Sequence, residues 1–261
     1  NTAMRCSQEF NDPCCVIVKH VNPCGVAISD NIKNAYEQAF ATDPESAFGG
    51  VIAVNRAVDE NFATELISNQ FVEVIIAPDY DAEALEVFKQ KNNIRVISVK
   101  EYKKNRINFQ IQSIDGGFLV QEDDHKIITT EDLNCVTEKK PNQDETADLM
   151  FAWIVAKYVK SNAIVFAKNR QTIGIGAGQM SRVSSAKIAS LKATNANLDT
   201  TGTVMASDGF FPFSDSIEMA SDNGINCIIQ PGGSIKDQDV IDEANKKDIA
   251  MVFTGMRHFR H

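Results

Sequence analysis

Apolar positions along the chain fall into short continuous runs, separated by stretches in which they recur every three or four residues. That is the pattern of buried strands alternating with helices that show one apolar face. Runs at 16–18, 51–54, 74–78 and 95–99 predict strands in the first half. Between them, a helix capped near Asp30 carries Ile32, Ala35, Tyr36, Ala39 and Phe40 on one face. A second covers 60–69 with Phe62, Leu66 and Ile67 inward, and a third, capped near Asp81, carries Leu85 and Phe88. Asn22-Pro23 is expected to turn the chain after the first run, with Gly25 allowing a tight backbone, and 43–50 reads as a turn into a strand. From 100 to 143 the pattern changes. Apolar segments at 108–114 and 118–120 flank Asp115-Gly116-Gly117 as in a hairpin, and the polar stretch 125–143 reads as a connector.

The alternation then resumes. A helix over 144–160 places Ala147, Phe151, Ile154 and Tyr158 on one stripe, followed by a strand at 163–167, a glycine-rich turn at 174–178 and a helix at 184–192. Strands at 203–206, 227–231 and 249–253 alternate with helices near 216–222 and through Val240, Ile241 and Ala244. CIIQP at 227–231 matches VIIAP at 74–78, and the order strand, helix, strand ending IIxP, helix, strand occurs twice, about 150 residues apart. The expected fold class is therefore α/β, with two similar α/β/α lobes from an internal duplication. Residues 1–143 form the first lobe, including the β excursion and connector, and 144–261 form the second.

Composition narrows the function. The 261 residues, 43% hydrophobic, can bury an ample core. No apolar run approaches the roughly 18 residues of a membrane span, and no signal-peptide segment opens the sequence. The absence of an initiator Met fits a piece of a longer protein. A net charge of −9 argues against a general nucleic-acid binder while leaving room for a small anion on a local basic cluster. The six cysteines never form C-x-x-C, which suits reduced thiols in a cytoplasmic protein.

Four stretches carry candidate chemistry. Lys19 and His20 at the end of the first strand offer a cation and a group that titrates near neutrality; ordinary polar strand caps are the plainer reading. GIGAG at 174–178 lacks the dinucleotide spacing and reads as a tight turn, beside which Gln179, Ser181 and Arg182 supply donors for an anion or amide. SDGFFPFSD at 207–215 sets three phenylalanines around a proline, either as a plug between lobes or as a wall for a flat heterocycle. MRHFRH at 256–261 is a solvated tail, or docks and meets a phosphate through an arginine. A zinc deaminase is rejected: it requires H-x-E and P-C-x-x-C, whereas His20 is followed by Val21-Asn22 and PCGVA at 23–27 has no second cysteine.

Seven ordered motifs, VKHVNPCG (18–25), SAFGG (46–50), VIIAP (74–78), KSNAIV (160–165), IGIGAGQMSR (173–182), ASDGFFPF (206–213) and MRHFRH (256–261), together resemble one family. It is the 5-aminoimidazole-4-carboxamide ribonucleotide (AICAR) transformylase domain of the bifunctional purine-biosynthesis enzymes, and the resemblance runs over about residues 10–261. It implies cytidine-deaminase-like lobes, a homodimer with active sites at the subunit interface, and formyl transfer from the co-substrate 10-formyltetrahydrofolate to the 5-amino group of AICAR. No catalytic metal and no nucleic-acid or membrane partner are implied. The family's IMP cyclohydrolase domain, normally on the same polypeptide, and its upstream R-Y-G-x-N-P-H-Q segment are not in these residues. Cyclohydrolase activity is therefore not expected of them, and the phosphate pocket is expected to be incomplete.

The resemblance also implies roles. His20 takes the proton from the attacking amine, and Lys19 stabilises the tetrahedral oxyanion or assists the leaving folate nitrogen. Neighbours on a regular strand point to opposite faces, so the strand has to break at these residues. Asn162 bonds the transferring formyl oxygen. Phe210, Phe213 and Asp215 lie near the folate or the imidazole, Arg257 meets the phosphate, Glu73 takes pterin N–H groups, and Gln179 and Arg182 complete the binding set. The alternative is a non-catalytic purine-nucleotide-binding or regulatory module.

Overall fold

The computed structural model describes residues 1–100 and 109–261. After a short helix, α1 (Thr2–Ser7), the first apolar run becomes β1 (Cys14–Lys19), buried except at its last residue. A two-residue turn at His20–Val21 returns the chain as β2 (Asn22–Ile28). Then come α2 (Ile32–Thr42), the single turn α3 (Pro44–Ala47), β3 (Gly50–Val54), α4 (Glu60–Asn69), β4 (Val72–Ala77), α5 (Ala82–Lys89) and β5 (Arg95–Ser98). A separate hairpin of β6 (Phe109–Ile114) and β7 (Gly117–Glu122) follows, and then β8 (Asn134–Cys135). Asn108, where that hairpin was expected to begin, lies outside the described residues. The rest comprises α6 (Gln143–Ala156), β9 (Ile164–Lys168), β10 (Gln171–Gly176), α7 (Arg182–Asn195), β11 (Val204–Ser207), α8 (Asp215–Asp222), β12 (Cys227–Gln230), α9 (Asp237–Lys246) and β13 (Ala250–Phe253).

One eleven-stranded sheet runs through the molecule in the order β5-β4-β3-β1-β2-β10-β9-β11-β12-β13-β8. Each half has the same connectivity: an antiparallel hairpin, a strand antiparallel to the hairpin's first member, then two strands added in parallel. Helices cover both faces, so the fold is α/β. On one face α2, α4 and α5 pack on the first half, and α7, α8 and α9 on the second. On the other, α1 and α6 cover a core that draws on strands of both halves. Leu149, Phe151, Trp153 and Val155 of α6 are all buried, which is why that helix is apolar around most of its circumference.

The sequence expectation fails at β2 and β10. Asn22-Pro23 is not a turn: both residues pair with the end of β1, Pro23 at an irregularity in the ladder. Likewise 174–176 belongs to a strand. The glycines that suggested turns are there because helices lie directly on the strands. A Cβ at Gly25 would stand 1.9 Å from the Ala39 carbonyl oxygen of α2, and one at Gly176 1.8 Å from that of Ser185 in α7. The halves meet where β2 and β10 pair at Gln171 and Ala27, and Thr172 Oγ1 accepts from the Val26 N–H at 2.9 Å. Smaller corrections concern helix ends. Asn31, not Asp30, caps α2. Leu85 points outward while Ala84, Val87 and Phe88 face the core, and α6 stops at Ala156.

Candidate active site

Strand directions bring the sequence candidates to one edge of the sheet. There β1 ends, β9 begins, and β11, β12 and β13 finish, so residues after the last three open onto the same rim as the His20–Val21 turn. That turn holds both residues in the left-handed region, with φ of 47° and 73°. The mirror-type turn matches the twist of the flanking strands, but it costs energy for residues with a side chain, most of all for β-branched Val21. Lys19 is the last residue of the strand and His20 the first of the turn, so the regular alternation breaks between them. His20 is exposed. The Lys19 ammonium donates to the carbonyls of Phe48 at 2.5 Å and Gly49 at 3.3 Å. Lys168, at the corresponding strand end of the other half, is tied in the same way to Thr201 O at 2.9 Å.

Asn22 links this turn to the second half, its Oδ1 accepting from the Lys160 N–H at 2.9 Å. Two residues on, Asn162 follows a cis Ser161–Asn162 peptide. Its Nδ2 donates to the Gln179 carbonyl at 2.8 Å, and its own carbonyl accepts from Ser185 Oγ at 2.8 Å. The Gln179 side chain turns back to Ala177 O at 3.2 Å. An open cleft of about 660 Å³ reaches the turn at Val21 and runs past Lys160, Phe109, Ile111, Arg260 and His261.

The loop after β11 splits its phenylalanines three ways. Phe211 is fully buried among α7, α8 and the sheet, Phe210 lies beneath the Arg257 guanidinium at 5.5 Å, and Phe213 is 63% exposed. The plug and the wall are thus different residues of one loop. Asp208, fully buried, accepts from Ser161 Oγ at 2.5 Å and pairs with Arg182 Nη2 at 3.4 Å. Burial lowers the Arg182 pKa from its ordinary value, the Asp208 carboxylate opposes that, and nearby Arg257 adds to it. Arg182 lies so close over Gly209 that a Cβ there would meet its Nη2 at 2.0 Å. Asp215, exposed, begins α8.

Glu73 stands apart. It lies on β4 and pairs with Arg95 of β5 at 2.6 Å, both groups well exposed. Six strand steps separate β4 from β11, about 29 Å at the usual spacing between strands. Sequence reasoning missed Asp208 and Ser161, whose pairing joins residues 47 apart in the chain, and the Phe48–Phe71 pair beside Lys19, with ring centroids 5.8 Å apart. Among the described residues no three His, Cys, Asp or Glu side chains gather as a metal site, and no helix is long and apolar enough to cross a membrane. The cysteine thiols are free; burial pushes that of Cys24 up to about 12, and those of Cys6, Cys14, Cys15 and Cys227 higher, so none of these five is a ready nucleophile.

The model of one protein family, described as the AICARFT/IMPCHase bienzyme, matches residues 1–192. That stretch contains Lys19, His20, Glu73, Asn162, Gln179 and Arg182. Covering well over half of the sequence, the match shows that the chain belongs to the AICARFT/IMPCHase bienzyme family, whose role lies in purine biosynthesis.

Proposed function

We propose that the chain is the formyltransferase of this family, moving the formyl group of 10-formyltetrahydrofolate to the 5-amino group of AICAR to give formyl-AICAR and tetrahydrofolate. The observation that carries the reading is the hydrogen bond from Lys160 N–H to Asn22, which holds the Lys19–His20 turn and Asn162 on one rim. The amine of AICAR is a weak nucleophile because its lone pair is delocalised into the imidazole. His20 takes its proton as the nitrogen attacks the formyl carbon. The C–N bond to folate N10 then breaks, and the departing nitrogen is protonated. An ammonium has three N–H donors; the Phe48 and Gly49 carbonyls engage two, which leaves Lys19 one for the oxyanion of the tetrahedral intermediate. Asn162 Nδ2, with one hydrogen on Gln179 O, has a second for the same oxygen.

Arg257, standing over Phe210, takes the phosphate, with the Arg182 guanidinium near it. Exposed Phe213 offers a face to a flat ring, with Asp215 beside it. Glu73 keeps one carboxylate oxygen for pterin N–H groups while the other meets Arg95. The width of the rim supports a site shared between two copies of the chain, because one folate cannot touch both Glu73 and Phe213 of a single protomer across about 29 Å. The exposed apolar residues of the β6–β7 hairpin, Phe118 at 71% among them, supply a surface for that second copy.

Absorbance-monitored release of tetrahydrofolate, with and without AICAR, tests the reading. AICAR-dependent release is expected, whereas stabilisation by both ligands without turnover would make the chain a nucleotide-binding module. Sedimentation equilibrium should find a dimer; a strict monomer would contradict the shared site.

A further inference from the structure

The last residues of the chain run extended along the rim and alternate in exposure. Arg257 and Phe259 face outward, while His258 and, in part, Arg260 face the body. Arg257 and Phe259 form the outer pair, the guanidinium 5.8 Å from the Phe259 ring. His258 is the inner anchor. It is 2% exposed, packs against Trp153 of α6 with ring centroids 5.0 Å apart, and its Nδ1 lies 2.6 Å from Asp124 Oδ2. An ionised carboxylate can only accept, so Nδ1 carries the proton in that bond. The His258 backbone N–H donates to Asp208 O at 3.3 Å, which ties the same residue to the loop that carries Phe210.

Arg260 is held separately, by exchange of backbone and hydroxyl bonds with Ser161 and by Nη2 donating to Thr2 Oγ1 at 2.8 Å. Arg257 forms no ion pair with another described residue, and its position is set by the backbone that runs into these two anchors. A single-residue step in an extended segment reverses which side chain faces out. A buried, hydrogen-bonded imidazole at 258 therefore determines that the guanidinium at 257 stands on the site side.

We infer that His258, clamped between Trp153 and Asp124, is a positioning residue that fixes where Arg257 stands at the candidate site. The part of the inference that concerns substrate rests on the formyltransferase reading, through the place of Arg257 at the nucleotide phosphate. Asp124 is the useful handle, because at 38% exposure its side chain can be removed without opening the core.

The experiment compares wild type, Asp124→Ala, Asp124→Asn and His258→Leu. One readout is the NMR signal of the Arg257 Nε–H, identified by its loss in Arg257→Lys and displaced in wild type by the Phe210 and Phe259 ring currents. The other is KM and kcat for AICAR. In Asp124→Ala and His258→Leu the signal should move to the position of a solvated arginine. KM should rise about tenfold, the equivalent of one charge-assisted hydrogen bond, with kcat retained. Asp124→Asn, which keeps an acceptor for Nδ1, should restore most of both. A signal that stays in place in Asp124→Ala overturns the clamp, and a signal that moves while KM stays overturns its bearing on substrate. If His258→Leu melts the protein, Asp124→Ala alone decides. Should wild type release no tetrahydrofolate with AICAR, the functional reading fails, and the Arg257 signal still upholds or overturns the clamp by whether it moves.

Discussion

The three phenylalanines of the 207–215 loop make a test in which neighbouring residues must behave in opposite ways. Phe211 is fully buried beneath α7 and α8, and Phe213 is 63% exposed. Truncating a buried phenylalanine removes its transfer energy and leaves a cavity, which costs about 3–5 kcal/mol. For a chain of this size each kcal/mol lowers the melting temperature by roughly 2–4 °C, so Phe211→Ala should lose about 6–20 °C. Phe213→Ala should stay within about 0.5 kcal/mol of wild type, as an exposed truncation does, but weaken folate binding. Phe210→Leu keeps the apolar bulk and removes the π-face beneath Arg257, worth about 0.5–1 kcal/mol at a partly exposed site. Its effect should fall on the KM for AICAR. Thermal unfolding and folate titration of the three variants provide the assay. Equal destabilisation by Phe211→Ala and Phe213→Ala would refute the division of the loop into plug and wall, as would folate binding that ignores Phe213.

Two further predictions concern the scaffold. Gly176→Ala drives a Cβ against the Ser185 carbonyl of α7, backbone against backbone, and should cost at least the 1–3 kcal/mol or so of an overpacked core. Gly117→Ala, with open space around it, is the control, and equal melting temperatures for the two would contradict the close approach. The second is a pH dependence. Burial works to raise the Asp123 carboxyl, but its hydrogen bonds with Arg5 and Gln110 outweigh that and hold it below the ordinary value. Its contribution to stability is therefore present above the unfolded-state pKa, near 3.9, and is lost as pH falls through the lower folded-state value. Urea midpoints followed from pH 6 into the acid range should fall less steeply for Asp123→Asn than for wild type; parallel curves would remove Asp123 from the acid response.

The parts of the fold that were legible in the sequence are those whose physics is local. β1, β3, β4, β9, β12 and β13 are covered on both faces, so they read as uninterrupted apolar runs. β2 and β10 were not legible because the glycines that admit α2 and α7 imitate turn signals, and only the packed helix explains them. The same holds for the site. Lys19-His20 announced itself as a polar pair at a strand end, and the resemblance supplied the roles that no spacing could. Asp208 beneath Arg182, and His258 against Asp124, depend on contacts up to 134 residues apart, which leave no periodic trace.

Formyl transfer from 10-formyltetrahydrofolate to AICAR, measured under saturating substrates for wild type and His20→Ala, tests the central claim most directly. His20 is exposed on its turn, so its truncation leaves the core intact. The account predicts a folded variant that still binds AICAR and turns over about 10²–10⁴ times more slowly, the usual worth of a general base. Turnover at the wild-type rate would contradict it.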